Sequence, residues 1–311
     1  MKKNALLTRL ITISFILVFL IGCKKETSDQ LTPQQEEEAA TIAAESQTES
    51  EFIFNDVFDN VMGVNTTVGI GGTGVFGKMA FSADEAPGRE MDVDSIHCFT
   101  VQLTHLNPPQ IFPVKIVIDF GNGCTGADGH TRYGKIITVY TARLTNNGAS
   151  ATTTFDGFKI DHISVQGTHK ITNTTGNTPG GNLKQFTIEI RDARLSKPNG
   201  NYTEWRSDRV LTQIEGNGTI LPVDDILRIE GSARGRVKRG NVLVAWQSEI
   251  TEPLIKKFTC RWISKGVVRT RRESLSSTSP WVAVLNFGNG NCDYLATLSI
   301  NGITHNIELP H

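Results

Sequence analysis

The sequence predicts an all-β protein, an antiparallel meander that forms a sandwich or an open barrel and is preceded by a short N-terminal helical segment. From residue 64 onwards, apolar and polar residues alternate with a period of two, as in strands that have one face in solvent. Turns such as Asn-Gly and Asp-Gly separate these stretches. No segment of helical period lies between them, so neighbouring strands are expected to pair antiparallel.

The first 22 residues have the organisation of a signal peptide. Lys2, Lys3 and Arg9 precede an apolar run from Leu10 to Ile21. That run is shorter than the roughly 20 residues that a membrane-spanning helix needs, so we expect a cleaved leader. Its removal takes three cations from a net charge of −1, which leaves −4. A chain this close to neutral gives no reason to expect a nucleic-acid partner.

Residues 20–23, Leu-Ile-Gly-Cys, resemble the lipobox of bacterial lipoproteins. The resemblance implies cleavage before Cys23 and diacylation of its thiol, and several acyl chains on one residue give stable membrane anchoring. Lys24 follows, where an aspartate retains lipoproteins in the inner membrane of enteric bacteria. The resemblance therefore implies a lipid-anchored protein of the outer membrane, on either its periplasmic or its cell-surface side.

Residues 23–63 are predicted to form an acidic tether with one or two helices. Thr32-Pro33-Gln34-Gln35 has the pattern of a capped helix start, and Thr48 to Glu51 offers a second capping box. An apolar stripe at spacings of three and four follows and is expected to pack on the β domain of residues 64–311. The stripe consists of Phe54, Val57, Phe58, Val61 and Met62.

Fourteen strands are predicted in the β domain from the alternation and the turn residues. They span 96–104, 112–120, 134–144, 151–160, 162–173, 184–196, 202–214, 226–237, 242–252, 255–264, 266–272, 281–287, 294–300 and 303–309. Between 226 and 238 one face is apolar or small and the other is charged, which is the clearest case of the period. Pattern alone leaves sandwich and open barrel as alternatives.

Two segments of the β domain echo each other. Residues 118–124 resemble residues 285–292 around a shared Phe-Gly-Asn-Gly, and each segment ends in a cysteine that follows an earlier one by 26 or 32 residues. The echo suggests two pseudo-repeats and predicts the disulfides Cys98–Cys124 and Cys260–Cys292, which an oxidising compartment permits. Structural zinc needs closely spaced cysteine pairs, and this sequence has none, so no metal site is predicted.

The layout also resembles a family of uncharacterised Bacteroidota outer-membrane lipoproteins. The resemblance rests on residues 116–124, 128–135, 260–262 and 287–293. It implies architecture and export, and it implies no particular activity.

The sequence supplies no local signature of catalysis. It has no GxSxG, HExxH or EF-hand pattern, so no catalytic residue and no cofactor is predicted. Residues 184–273 carry 18 bases and 11 acids, and Arg234, Arg236 and Lys238 lie on one strand face. These three form a candidate face for an anionic ligand, although charged residues are also ordinary on the solvent face of a sheet.

These observations predict a non-enzymatic, lipid-anchored envelope or surface lipoprotein that acts as a binding or structural module. Its partner is expected to be a polysaccharide or another envelope protein. One alternative is a periplasm-facing carrier of an apolar ligand held in an open β-barrel. Another is a hydrolase without a local motif, whose carboxylates meet only in the fold.

Overall fold

The structure is a computed structural model that describes residues 32–79, 98–126, 128–176, 183–216, 224–274 and 283–309. The described chain begins with helix α1, Pro33–Gly63, and a short 3-10 turn, Gly74–Met79. The strands that follow are β1 Thr100–His105, β2 Val114–Asp119, β3 Cys124–Thr125, β4 Thr131–Tyr140, β5 Ser150–Ile160, β6 Ile163–Asn173, β7 Gln185–Ser196, β8 Tyr202–Glu215, β9 Ile226–Arg239, β10 Val242–Lys257, β11 Ile263–Arg272, β12 Ala283–Asn289, β13 Leu295–Ile300 and β14 Ile303–Glu308.

The strands form one antiparallel sheet, in which each strand pairs with its neighbours in the chain from β1 to β14. The two-residue β3 lies off this path and pairs with β4 alone. The sheet is not closed into a barrel, and its edges are β1 and β14. The predicted antiparallel meander with an N-terminal helix is confirmed.

Helix α1 starts at the predicted capping box. The Thr32 hydroxyl accepts a hydrogen bond from the Gln35 amide at 3.3 Å, and the Gln35 side chain accepts one from the Thr32 amide at 2.9 Å. The second predicted helix start, at Thr48, is wrong because α1 is continuous there. The Thr48 hydroxyl donates to the Ala44 carbonyl at 2.9 Å, which is how a threonine is accommodated inside a helix.

The concave face of the sheet forms a trough, and α1 lies in it. The predicted apolar stripe from Phe54 to Met62 is buried there. Phe54 packs against Phe155 of β5 and Trp205 of β8, and Phe58 stacks on Phe258. Since β4, β5, β6 and β8 to β13 contact this one helix, the sheet curves around it, and the core lies between helix and sheet. In the described residues no helix has the length and apolar character required to cross a membrane.

Most strand boundaries lie within about four residues of the prediction, the two-residue β3 was not predicted, and the largest difference is at β10. The segments 242–252 and 255–264 are expected as two strands, but Val242–Lys257 is the single strand β10, and residues 258–262 lie in no strand. Pro253 lies inside this strand, which passes it through shifts of pairing register between Glu249 and Ile255. Proline lacks an amide donor, and a bulge is where a strand tolerates that loss.

The cysteines of the β domain stand in the two predicted pairs. Cys98–Cys124 and Cys260–Cys292 are at disulfide-bonding distance, with Cα–Cα separations of 5.2 and 5.6 Å. The two echo segments also share a local turn. The Gly121 amide donates to Asp119 Oδ1 at 2.9 Å, and the Gly288 amide donates to Asn286 Oδ1 at 2.8 Å.

Candidate functional site on the outer face of the sheet

Alternation along β8 and β9 separates the inner face of the sheet, which contacts α1, from an outer face in solvent. On β8, Trp205 and Ser207 are buried on the inner side, whereas Arg206 is exposed on the outer side. The predicted anionic-ligand residues Arg234, Arg236 and Lys238 are all exposed on the outer face of β9. Their shared orientation follows from the period of two, as predicted.

An open concavity of about 480 Å³ lies on this outer face. Two of the three predicted residues, Arg234 and Arg236, line it together with side chains that sequence reasoning did not select. The most polar of these are Asp192, Arg194, Glu204, Arg206 and Glu273. Lys238 is not among the lining residues, and it lies opposite Tyr202 nearer the β9–β10 turn.

Part of the positive charge in the concavity is neutralised by Glu204. Arg194 Nη1 lies 2.8 Å from one oxygen of this carboxylate, and Arg236 Nε lies 3.4 Å from the other. The Arg194 guanidinium also sits 3.8 Å from the centre of the Tyr202 ring. Arg194 and Arg236 are therefore held in place by groups of the protein itself.

Arg206 and Arg234 are arranged differently. They are direct partners across the β8–β9 pair, and within the described residues neither forms an ion pair. Like charges at directly opposed positions of an antiparallel pair are destabilising. Two adjacent guanidinium groups at the mouth of a concavity are suited to binding an anion, because each presents paired donors to carboxylate or phosphate oxygens.

Some of the excess basic residues in 184–273 contact α1 on the inner side of the sheet. Helix α1 carries eight acids and no base, and seven of the acids pair with basic residues of the sheet. The pairs are Glu36–Arg272, Glu37–His305, Glu45–Arg239, Glu49–Lys197, Glu51–Arg209, Asp56–Arg132 and Asp59–Lys256. Five of these bases belong to the 18 in residues 184–273, which leaves 13 bases against 11 acids. Much of the local excess therefore matches the helix and not an external ligand.

The most buried of these pairs is centred on Arg132, whose side chain is 1% exposed. Its guanidinium donates to Asp56 at 2.5 and 3.0 Å and to Asp128 at 2.6 Å. Burial alone would raise the pKa of Asp128, but hydrogen bonds and charge from Arg132 outweigh it and hold that pKa below its usual range. This ionised cluster thus holds the C-terminal part of α1 against β4.

A histidine–carboxylate pair next to this cluster has the residue types of an acid–base catalyst. His130 Nδ1 lies 2.7 Å from Asp161, but the other ring nitrogen contacts Arg261, which also donates to the Asp128 carbonyl at 3.0 Å. With both ring nitrogens engaged and the ring buried, His130 has no free position for a substrate proton. Among the described residues, no group of three or more His, Cys, Asp or Glu is placed to hold a metal ion.

A second polar site holds the middle of α1 to the trough. The Gln47 side-chain oxygen accepts hydrogen bonds from the indole nitrogens of Trp205 and Trp246, both at 3.1 Å, and from the Ser248 hydroxyl at 3.0 Å. Gly235 lies between the two tryptophans in the pairing register. These two tryptophans are core residues, and the predicted strand residue Trp281 lies outside the described residues.

His169 predicts a pH dependence of stability. Its ring is fully buried and stacks on Phe54, neither ring nitrogen has a hydrogen-bond partner in the described chain, and burial lowers its pKa to about 3. The unfolded chain takes up this proton near pH 6.5 but the folded protein does not, so stability is lost as the pH falls below 6.5. We expect wild type to lose about 2 kcal/mol more than His169→Phe between pH 7 and pH 5.

Urea unfolding of both proteins at the two pH values measures this difference. The comparison with His169→Phe is needed because burial raises the pKa of Asp225 to about 6, which contributes in the opposite direction. Equal losses in the two proteins would contradict the assignment to His169.

Comparison with known proteins found no matching family model, no matching curated protein and no matching solved structure. The predicted lipidation site, Cys23, lies outside the described residues. Function must therefore be inferred from the sequence of the N-terminus and the geometry of the β domain.

Proposed function

We propose that this protein is a non-enzymatic lipoprotein of the outer membrane, anchored through acyl chains on Cys23, that binds an acidic polysaccharide on the outer face of its sheet. The anchor is supported by the lipobox resemblance. The observation that carries the binding proposal is the opposed pair Arg206 and Arg234, which has no acidic partner in the described residues and lies at an open concavity.

The shape of this surface suits a polymer. A concavity that is open on the outer side of a sheet admits the middle of a long chain, whereas an enclosed pocket admits only a small molecule or a chain end. Adjacent strands are roughly 4.8 Å apart, so the two guanidinium groups can contact one carboxylate together or two carboxylates of neighbouring sugars. Binding of this type weakens as salt increases.

The position of α1 supports a binding module over a carrier of an apolar ligand. A carrier would hold its ligand against the inner face of the open sheet, and that is where Val57 and Val61 of the helix are fully buried. An apolar ligand would have to displace the helix and break its buried ion pairs with Arg132 and Lys256. Removing one member of such a pair costs about 3–5 kcal/mol.

Binding to polygalacturonate, a polymer of a uronic acid, tests the proposal. We expect wild type to bind this polymer and not neutral dextran, and Arg206→Gln/Arg234→Gln to lower the affinity at least about tenfold, because two charge-assisted contacts are lost. Isothermal titration calorimetry at low and high salt measures both effects.

The matched control is Lys159→Gln/Lys170→Gln, which removes two exposed cations from β5 and β6. Both double variants change the net charge by the same amount. Equal losses of affinity in the two variants would mean that only the overall charge matters, and absence of binding by wild type would refute an acidic polysaccharide of this kind as the ligand.

A further inference from the structure

One end of the strands forms ion pairs with the N-terminal half of α1. In an antiparallel meander, alternate turns lie at the same end of the strands. The turns after β7, β9 and β13 share one such end, which we name the anchor rim. Arg239 beside the second turn lies 2.5 Å from Glu45, and Arg272, at the end of β11 on the same side, lies 2.8 Å from Glu36 in the first turn of α1. The anchor rim and the beginning of the helix are therefore close together.

The lipid anchor has a short reach. Pro33 follows Cys23 by ten residues, and an extended chain spans at most about 3.5 Å per residue, so the helix begins within about 35 Å of the bilayer. The helix itself has 31 residues and is about 46 Å long at 1.5 Å per residue. Its N-terminal end, with the anchor rim, is consequently the end that the tether keeps near the membrane.

The anchor rim has the side chains that a bilayer surface attracts. Leu243 beside the β9–β10 turn and Ile303 beside the β13–β14 turn are each 58% exposed. Lys238 stands next to the first of these turns and forms no ion pair within the described residues, whereas Arg239 and Lys197 at the same rim pair with acids of α1. Exposed aliphatic side chains with a lysine beside them fit the boundary between the acyl chains and the anionic headgroups of phospholipids.

We infer that the anchor rim rests on the phospholipid surface in which Cys23 is acylated, with Leu243 and Ile303 in contact with the lipid. This inference depends on the proposed lipidation. It orients the β domain, because Lys238 then stands near the bilayer and Arg234, four residues away along β9, stands farther from it.

Tryptophan quenching tests the orientation on the acylated, full-length mature protein. The variants Leu243→Trp and Ile303→Trp are reconstituted separately into vesicles of phosphatidylethanolamine and phosphatidylglycerol with brominated acyl chains. The quenching of the wild-type tryptophans is measured in the same vesicles and subtracted. The control is Ile111→Trp, at an aliphatic residue that is 65% exposed between β1 and β2, at the opposite end of the strands. We expect at least twofold more quenching at 243 and 303 than at 111.

Equal quenching at the three positions, or more at 111, would overturn the inference while leaving the anchor intact. The mass of the purified protein separates this result from failure of the proposed function. A mature chain without acyl mass that does not float with vesicles would refute the lipidation, and the orientation would be refuted with it.

Discussion

Replacing Arg132 by methionine is expected to lower the free energy of unfolding by about 3–5 kcal/mol, as the removal of one member of a buried ion pair does. Arg132 is the shared partner of Asp56 on the helix and Asp128 before β4, and its side chain is 1% exposed. Methionine fills much of the same space, so the loss comes mainly from two carboxylates left without their cation. Urea unfolding followed by circular dichroism measures it.

Two further variants make the result specific. Arg234→Met removes a cation from the outer face and is expected to change stability by no more than about 0.5 kcal/mol. Combining Arg132→Met with Asp56→Leu and Asp128→Leu should recover part of the loss, because an apolar cluster has no buried charge to desolvate. If Arg132→Met is as mild as Arg234→Met, the cluster does not hold the helix.

The second large effect is expected from Trp246→Ala, which should destabilise the protein by about 3–5 kcal/mol, as large-to-alanine core changes do. Trp246 is completely buried, and its indole donates to Gln47 of α1. The substitution leaves a cavity under the helix and removes one of three donors to that amide oxygen. Thermal unfolding followed by near-ultraviolet circular dichroism measures the loss.

Gly235→Ala provides the matched test of this packing. A Cβ at residue 235 would lie 2.3 Å from Cζ2 of Trp246, so the alanine variant alone should be destabilised by overpacking. In the Trp246→Ala background the same methyl group has room, and its cost should fall towards zero. Additive effects of the two substitutions would show that the indole does not pack against Gly235.

Much of the fold could be predicted because it follows from local pattern. The period of two placed the strands within a few residues, and the charged face of β9 was assigned correctly. The error at β10 arose because one strand that continues through a bulge has the same local pattern as two shorter strands. That choice depends on pairing with β9 and β11, which the sequence of β10 alone does not contain.

The candidate site was only half predictable for the same reason. Arg234 and Arg236 were found because they lie on one strand, but Arg206 and Glu204 join them through the cross-strand register. The ion pairs of α1 could not be predicted either, because the position of an acid in a helix does not indicate which base of the sheet it will contact. The local excess of bases in residues 184–273 was visible, but its division between an inner and an outer face was not.

The contacts of α1 also constrain the order in which the helix and the sheet fold. The helix is synthesised first, yet Gln47 is separated from Trp246 by 199 residues and Asp59 from Lys256 by 197. Closing loops of this length has a high entropic cost, which only a sheet that is already formed can offset. We therefore expect the strands to pair one hairpin after another, and the N-terminal helix to pack against the sheet last.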